Sequence, residues 1–388
     1  MLMRRFRYRE FAEVSVPLIV ALSVFLFGCE GLQIVRSMRP DPSGWITFGG
    51  SLTRTNQSAS VARPPLHEIW QYDAGSGIAA TPLVKDSVLI ICTLKGQLHA
   101  VEARTGKRIG YVSLDGAITG TPVWNGAALY VPISSEKETV EAVDLTNGSR
   151  DWSAKFGQSE SSPLLYGRDL YVTSLDGTLL CINRVNGEEV WKYETGTKTA
   201  RKPIRSSPAM DGKIIVFGCD DGFVYAVNRT QGTGKWKFET GQSVFASPII
   251  VADRVVVGSL NGNVYCLSLE TGKLLWSYDT RSRIFGSASC NDSLVFVGTA
   301  DGVCYALSLQ NGSMVWKFQA GSVINSAPLV TKDFLYVGSL DKYLYVLDPW
   351  TGKEIWRFEA RGRIKVSPII WNGTLLVTSE DNYVTALK

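Results

Sequence analysis

The fold of this chain is decided by a 40-residue stretch, residues 263–302, which reads NVYCLSLETGKLLWSYDTRSRIFGSASCNDSLVFVGTADG. It holds four short runs rich in β-branched, aromatic and other apolar residues, and the runs are separated by turn-forming residues. Thr271-Gly272 leads into the run that contains Trp276, and Asp301-Gly302 follows the apolar run Leu294–Gly298. The stretch therefore predicts four short strands joined by hairpins, which form one antiparallel sheet.

Tryptophan recurs along the chain with a period near 40 residues. The spacings are 39, 45, 40, 40 and 40 residues between successive members of the series Trp152, Trp191, Trp236, Trp276, Trp316 and Trp356. Two steps of 41 residues backwards reach Tyr111 and then Trp70, so the chain has eight anchors, one of which is substituted. Such a period indicates a repeat architecture.

Two further motifs keep the same phase. A small residue with Pro follows each anchor by about twelve residues, at Thr81-Pro82, Thr121-Pro122, Ser162-Pro163, Ser207-Pro208, Ser247-Pro248, Ala327-Pro328 and Ser367-Pro368, and Ala288-Ser289 is the copy without Pro. A turn follows the next apolar run, at Lys95-Gly96, Asp176-Gly177, Asp221-Gly222, Asn261-Gly262, Asp301-Gly302, Asp341-Lys342 and Asp381-Asn382. Asp-Gly and Asn-Gly predict tight hairpins with positive φ at both central residues. Repeat two is degenerate, since it has Tyr111 as its anchor and residues 136–138 at this turn.

These features predict an all-β chain, an eight-bladed β-propeller of four-stranded antiparallel blades with 32 strands. Middle strands such as residues 88–91 and 255–257 are apolar at successive positions, so both of their faces should be buried. The eighth repeat ends at Leu387-Lys388 after its third strand, while a spare Trp strand, residues 66–72, precedes the first Pro motif. We expect this N-terminal strand to complete the last blade and leave no open sheet edge at the seam.

The repeat also points to a family. Residues 142–152 and 345–356 resemble the tryptophan-docking repeat of the PQQ-like (quinoprotein) propellers, and residues 45–50 with Arg54-Thr55 look like the usual entry of such chains. The resemblance covers about residues 45–388. A β-solenoid would have shorter rungs, and a sandwich would not repeat eight times in phase. In a WD-repeat propeller a Trp-Asp pair ends the third strand, whereas here Trp follows the Gly turn by about four residues.

The N-terminus has the order of an export signal. A basic start is followed by a predominantly apolar run of 14 residues, 14–27, which is shorter than the roughly 20 residues that span a bilayer as a helix. Leu26-Phe27-Gly28-Cys29 resembles the lipobox of bacterial lipoproteins, which implies cleavage before Cys29 and its acylation. We therefore predict a signal peptide over residues 1–28, an acylated tether over 29–44 and a propeller over 45–388. An uncleaved apolar anchor is the alternative.

Composition excludes several classes of protein. The chain is 45% apolar with a net charge of +4, which excludes intrinsic disorder and gives no support to nucleic-acid binding. Its remaining cysteines form no C-x-x-C pair and stand in predicted strands, so we expect buried thiols at Cys92, Cys181, Cys219, Cys266, Cys290 and Cys304. The two histidines, His67 and His99, stand 32 residues apart and are assigned to structural packing rather than to metal binding or catalysis.

The sequence predicts no cofactor and no catalytic residues. The repeat resembles that of the quinoprotein dehydrogenases, which hold PQQ and Ca²⁺ with a catalytic aspartate and, in many members, a disulfide between adjacent cysteines. An enzyme of that kind would be expected to show these residues. No Cys-Cys pair occurs here, and nearly all connections between strands are minimal. A ring of carboxylates is suggested by Asp176, Asp221, Asp301, Asp341 and Asp381, but their spacing makes them turn residues.

A partner surface is predicted from the loops that leave the fourth strands. The longest is the insertion in the 45-residue repeat, and two other blades have basic residues at the equivalent place. The candidate partner-binding residues are Lys198, Arg201, Lys202, Arg205, Arg281, Arg283, Arg361, Arg363 and Lys365. Trp350 is a candidate aromatic anchor on the opposite face. An ordinary solvated rim is the alternative interpretation of these charges.

A lipid-anchored propeller of this size resembles the BamB family of outer-membrane assembly lipoproteins. That resemblance implies a non-catalytic scaffold in the periplasm, held to the outer membrane by its lipid alone. It implies envelope proteins as partners, including the central barrel-assembly protein, and no nucleic acid. A periplasmic PQQ-dependent oxidoreductase is the main alternative, and a ligand-sensing propeller is another.

Overall fold

The computed structural model describes residues 44–135, 139–197 and 199–388. The described residues contain 32 strands in eight four-stranded antiparallel sheets, which confirms the eight-bladed propeller. The predicted signal peptide, the lipidation site Cys29, nearly all of the tether, the repeat-two turn at 136–138 and Lys198 lie outside the described residues. No helix among the described residues is long and apolar enough to cross a membrane.

The strands of each blade are given in order from the first, which lies nearest the axis, to the fourth, which is outermost. Blade 1 consists of β2 (Leu83–Lys85), β3 (Val88–Cys92), β4 (Gln97–Glu102) and β5 (Arg108–Ser113), and blade 2 of β6 (Val123–Asn125), β7 (Ala128–Pro132), β8 (Val140–Asp144) and β9 (Arg150–Ala154). Blade 3 consists of β10 (Leu164–Tyr166), β11 (Asp169–Thr173), β12 (Thr178–Asn183) and β13 (Glu189–Glu194), and blade 4 of β14 (Ala209–Met210), β15 (Ile214–Gly218), β16 (Phe223–Asn228) and β17 (Gly234–Glu239).

The second half of the ring repeats this arrangement. Blade 5 consists of β18 (Ile249–Val251), β19 (Arg254–Gly258), β20 (Asn263–Ser268) and β21 (Leu274–Asp279), and blade 6 of β22 (Ser289–Cys290), β23 (Leu294–Gly298), β24 (Val303–Ser308) and β25 (Met314–Gln319). Blade 7 consists of β26 (Leu329–Val330), β27 (Leu335–Gly338), β28 (Tyr343–Leu347) and β29 (Glu354–Glu359), and blade 8 of β30 (Ile369–Trp371), β31 (Thr374–Thr378), β32 (Tyr383–Leu387) and β1 (Glu68–Asp73). A short 3-10 turn, Phe48–Gly50, precedes the first strand.

The strands follow the predicted burial pattern. All five residues of β3 are buried, as are four of the five in β19, because middle strands pack against the neighbouring blades on both faces. In the outer strands, exposed and partly buried residues alternate instead, and in β17 only Trp236 and Phe238 are partly buried. All six described cysteines are buried and free, as predicted, and burial raises the pKa of the Cys266 thiol to about 11.

The turns between second and third strands differ from the predicted tight hairpins. Four residues, 219–222, separate β15 from β16, and among them Gly222 alone has a positive φ, of 88°. The N–H of Gly222 donates to the carbonyl of Cys219 at 3.2 Å, while Asp221 accepts from the N–H of Phe223 at 3.0 Å. The prediction of positive φ at both central residues is therefore wrong, because Asp forms a side-chain turn and only the residue after it enters the left-handed region.

Tryptophans connect six of the eight blades to the next one. The indole Nε1 of Trp236 donates to the carbonyl of Leu269 at 2.8 Å, and Gly272 lies against the indole ring. The same pair of contacts recurs for Trp70, Trp152, Trp191, Trp276 and Trp316. This contact explains why Trp and the Gly turn share one period.

The ring closes as the sequence predicts. β1 pairs antiparallel with β32, so the N-terminal strand is the outer strand of blade 8. Two further hydrogen bonds of 2.9 Å join the backbones of His67 and Lys388. The seam is therefore made by the two ends of the described propeller.

Candidate functional site

Neighbouring blades are joined near the axis by a belt of hydrogen bonds, which explains the small polar residue of the Pro motif. The N–H of the Ser or Thr in one blade donates to the hydroxyl of its counterpart in the next blade. Distances of 2.8–3.0 Å connect Thr81, Thr121, Ser162, Ser207, Ser247 and Ser287 in that order. The copy without Pro is therefore Ser287-Ala288, and the predicted alignment of Ala288-Ser289 is wrong by one residue. Blade 7 has Ala327 at this position and offers no hydroxyl acceptor there.

A cavity of about 180 Å³ lies on the axis at the level of this belt. The third residue before the Pro position lines the cavity in six blades, at Ala79, Thr119, Glu160, Phe285, Asn325 and Lys365. The equivalent residues of blades 4 and 5 are Arg205 and Phe245, and Arg205 contacts both Glu160 and Phe245. These eight residues are here called the axial ring. Thr119 Oγ1 and Asn325 Oδ1 are buried, line the cavity and have no hydrogen-bond partner among the described residues. At ~30 Å³ for each water molecule, the cavity has room for about six.

Arg205 is the most connected of the predicted partner-binding residues. It forms an ion pair with Glu160 across the boundary between blades 3 and 4, at 3.3 Å, and another with Asp220. Its guanidinium lies 5.4 Å from the centre of the Phe245 ring. Arg205 is therefore held at the mouth of the axial cavity by three neighbours.

Lys365 belongs to the same ring but lies four blades away, on the opposite side of the mouth. It forms a 2.6 Å ion pair with Glu380, which also lies 3.9 Å from Arg363. Arg361 stacks over the ring of Tyr383 at 4.5 Å. The three cations of blade 8 thus have local partners within their own blade.

The remaining predicted residues lie on the outer part of the same face. Arg201 is mostly buried and forms a 2.8 Å ion pair with Glu194, whereas Lys202, Arg281 and Arg283 are exposed. The structure brings Arg205 and Lys365 to one ring and leaves the others in separate sectors. The sequence analysis did not predict the ring members Thr119, Glu160, Phe285 and Asn325. Each stands three residues before a Pro position, and this constant spacing could have identified them.

The floor of the axial cavity is formed by residues 45–60, here called the plug. They cross the axis on the side of the hairpin turns between first and second strands, and Phe48 lines the cavity. Arg54 is fully buried, and its guanidinium donates to Pro163 O at 2.8 Å and to Pro208 O at 3.0 Å. Burial lowers the pKa of Arg54 to about 9, so the group is charged at neutral pH.

The donor set at the axis does not fit a quinone and its metal ion. Glu160 is the carboxylate that lines the cavity, and Arg205 neutralises it. No group of three or more His, Cys, Asp or Glu side chains that could hold a metal ion occurs among the described residues. Pockets for ligands of cofactor size usually measure ≈ 300–1,000 Å³, well above this cavity.

Two family profiles match the chain. The profile described as the β-propeller of the β-alanine-activating enzyme matches residues 127–334, more than half of the chain. The profile described as outer membrane protein assembly factor BamB matches residues 59–156 and 320–388.

Two relatives are similar over shorter segments. A 1-butanol dehydrogenase (cytochrome c) of Thauera butanivorans is 27% identical over 191 residues, which are 47% of this chain and 23% of that protein. The assembly factor BamB of Shewanella oneidensis is 25% identical over 142 residues, 32% of this chain and 35% of that protein. The chain thus spans about a third or less of the length of the relatives it matches.

Solved structures share the fold across most of the chain. BamB from Moraxella catarrhalis has a TM-score of 0.72 at 18% identity, covering 83% of this chain and 99% of that one. A quinohemoprotein alcohol dehydrogenase from Comamonas testosteroni has a TM-score of 0.73 at 13% identity, covering 89% and 80%. At these identities the likeness shows the propeller fold alone.

Proposed function

The chain belongs to the family of PQQ-like repeat β-propellers, and on that premise we propose that it is a non-catalytic, lipid-anchored scaffold of a bacterial cell envelope. Its role is to bind other envelope proteins, as an outer-membrane assembly factor of the BamB kind would. Cys29 is the proposed anchor, with the propeller in the periplasm and the outer membrane the proposed site of attachment.

One observation carries this proposal. The axial mouth, where a propeller enzyme would bind its cofactor, is occupied by side chains that neutralise one another, and the cavity below it has room for only about six water molecules. The same face bears exposed cations, Lys202, Arg281 and Arg283, that have no ion-pair partner among the described residues. A site arranged in this way supports protein contacts better than chemistry.

The test is crosslinked co-purification of the full-length protein from its own detergent-solubilised membranes, with mass spectrometry of the partners. We expect an outer-membrane barrel protein with periplasmic domains to be recovered, and Arg281→Glu/Arg283→Glu to reduce its yield at least fivefold. Lys273→Glu/Lys353→Glu is the matched control, since it makes the same charge change on the opposite face. Recovery of no such protein, or equal loss with both variants, contradicts the proposal.

The similarity to a butanol dehydrogenase favours an oxidoreductase as the second candidate function. Addition of PQQ and Ca²⁺ to the purified full-length chain distinguishes the two. We expect no change in melting temperature and no new absorbance band from bound quinone, because the axial ring provides no free carboxylate for the ion. A saturable rise in melting temperature that needs both components would favour the enzyme instead.

A further inference from the structure

The plug acts as an additional strand for most of the blades. In six of the eight first strands, the residue two positions after the Pro position donates its N–H to a carbonyl of the plug. In blade 1, Val84 both donates to and accepts from Trp45, at 2.9 and 2.7 Å. Equivalent N–H groups bond plug carbonyls at 2.9–3.2 Å in five other blades, from Trp124, Met210, Ile250, Cys290 and Val330.

Blade 3 is different. Its equivalent residue is Leu165 in β10, and neither its N–H nor its carbonyl has a backbone partner from the plug within the described residues. The plug leaves blade 2 after Ile46, passes through the 3-10 turn Phe48–Gly50, and rejoins the ring at Leu52, which bonds Met210 of blade 4. The plug bonds blade 3 through the Arg54 side chain, which donates to the deeper carbonyl of Pro163.

A recess of about 420 Å³ lies where the plug bypasses this strand. Its walls are mainly apolar, with Ile46 and Leu52 on the plug side and Val123, Trp124 and Leu165 on the blades. Thr47, Ser51 and Asn125 add a few polar groups. The volume lies within the range usual for ligand pockets, and an apolar lining with few polar groups is typical of them.

We propose that this recess binds an extended apolar segment of a partner protein, which pairs with Leu165 and places an apolar side chain between Ile46, Leu52 and Trp124. The plug itself indicates the chemistry, because the same edge in six other blades is filled by extended peptide. An added strand gains affinity from backbone hydrogen bonds and specificity from a pocket for alternate side chains.

Other occupants fit this recess less well. A second copy of the chain would need an interface of about 800 Å² per partner, whereas the recess is a single depression below the plug turn. The equivalent position in blade 8, Ile370, also has no backbone hydrogen bond to the plug within the described part of the chain, and a recess of about 350 Å³ lies beside it. Its plug side includes the polar residues Gln57, Ser58 and Ser60, and Ser60 Oγ accepts from the N–H of Gly373 at 3.0 Å. Of these two positions, blade 3 is the better fit for an apolar segment, because its recess is lined by Ile46, Leu52 and Trp124.

This site lies on the face opposite the loops of the proposed scaffold function and is independent of that function. The test uses the full-length chain in detergent, labelled with ¹⁵N-leucine, and the capped peptide acetyl-Lys-Val-Leu-Val-Thr-amide as the probe. We expect a saturable shift of the Leu165 amide resonance. The same peptide with both valine nitrogens methylated should bind at least tenfold more weakly, because it cannot donate to the strand.

Two variants locate the site. Ile46→Arg places a charge over the recess without changing the backbone contact to Trp124, and should weaken peptide binding at least tenfold. Ile355→Arg is the matched control, because Ile355 has similar exposure but lies on the outer strand β29, and it should leave binding unchanged.

Three outcomes would overturn the proposal. They are an unshifted Leu165 amide, equal binding of the methylated peptide, and undiminished binding by Ile46→Arg. A dimer in sedimentation that Ile46→Arg abolishes would assign the recess to a second copy and would also overturn it. None of these results depends on the membrane partner, so they are separate from the outcome of the co-purification.

Discussion

At the scale of single residues, His99 shows how a histidine serves packing. It lies in β4 of blade 1, where its Nδ1 shares a 2.8 Å hydrogen bond with the hydroxyl of Tyr72, and its ring stacks on Tyr111 at 5.9 Å. Nε2 is buried with no hydrogen-bond partner among the described residues. Burial, and the charge of Arg108, lower the pKa of His99 and so favour the neutral form of its ring in the folded protein.

This lowered pKa predicts a loss of stability in acid. Between the folded pKa and about 6.5, the unfolded chain binds more protons at this position than the folded chain, so stability falls as the pH falls through that window. Urea unfolding at pH 7.5 and 5.5 should show a smaller acid loss for His99→Gln than for the wild type. His67→Gln, at an exposed histidine, is the control and should retain the full loss.

At the scale of elements, the docking of Trp on Gly is the contact that sets the repeat. Gly272 has a φ of 68°, and a Cβ built there would lie 2.5 Å from the ring of Trp236. Glycine is therefore required for two reasons: the turn needs a left-handed backbone conformation, and a side chain would block the approach of the indole. The substituted anchor, Tyr111 in strand β5 of blade 1, stacks on His99 instead.

Two alanine substitutions separate these requirements. Gly272→Ala should destabilise the protein through both backbone strain and the clash with Trp236. Gly75 has the same φ of 68°, but no heavy atom lies within 4 Å of a Cβ added there. Gly75→Ala therefore measures the cost of the backbone strain alone. We expect a difference of about 1–3 kcal/mol between the two in urea unfolding. Equal effects would mean that the indole moves aside without loss.

At the scale of the whole molecule, stability depends on how the ring closes. The last blade is built from both ends of the propeller, and Gln71 stands opposite Thr385 with their side chains 3.3 Å apart. The plug adds a second closure, since its backbone bonds the first strands of six blades. Both sets of contacts join residues that are far apart in sequence.

A crosslink across the seam should stabilise the ring. Gln71→Cys/Thr385→Cys closes a loop of more than 300 residues, whereas Asn263→Cys/Asp279→Cys, also partners in a strand pair, closes a short one within blade 5. Loop entropy predicts that oxidation stabilises the first by about 2 kcal/mol more than the second. The measurement is urea unfolding of oxidised against reduced protein. Equal gains would contradict a seam held by the chain ends.

The sequence by itself determined the architecture. Trp, Gly, Ser-Pro and Asp-Gly recur in one phase because each blade makes the same contacts with the next, so the number of blades, the burial of the middle strands and the closing strand could all be predicted. It also placed the basic loops on one face. The predicted geometry of the Asp-Gly turns was wrong, because turn type depends on the backbone angles of both central residues and the dipeptide alone does not fix them.

Only the tertiary structure decided what lies at the axis. Arg54 stands 109 residues from Pro163 and 154 from Pro208, yet it bonds both, and no local pattern indicates such contacts. The ring at the cavity mouth takes one residue from each blade, so the pairing of Arg205 with Glu160 appears only when the blades are assembled. The unpaired edge at Leu165 likewise arises from the route of the plug, which passes from blade 2 to blade 4 without pairing with the first strand of blade 3.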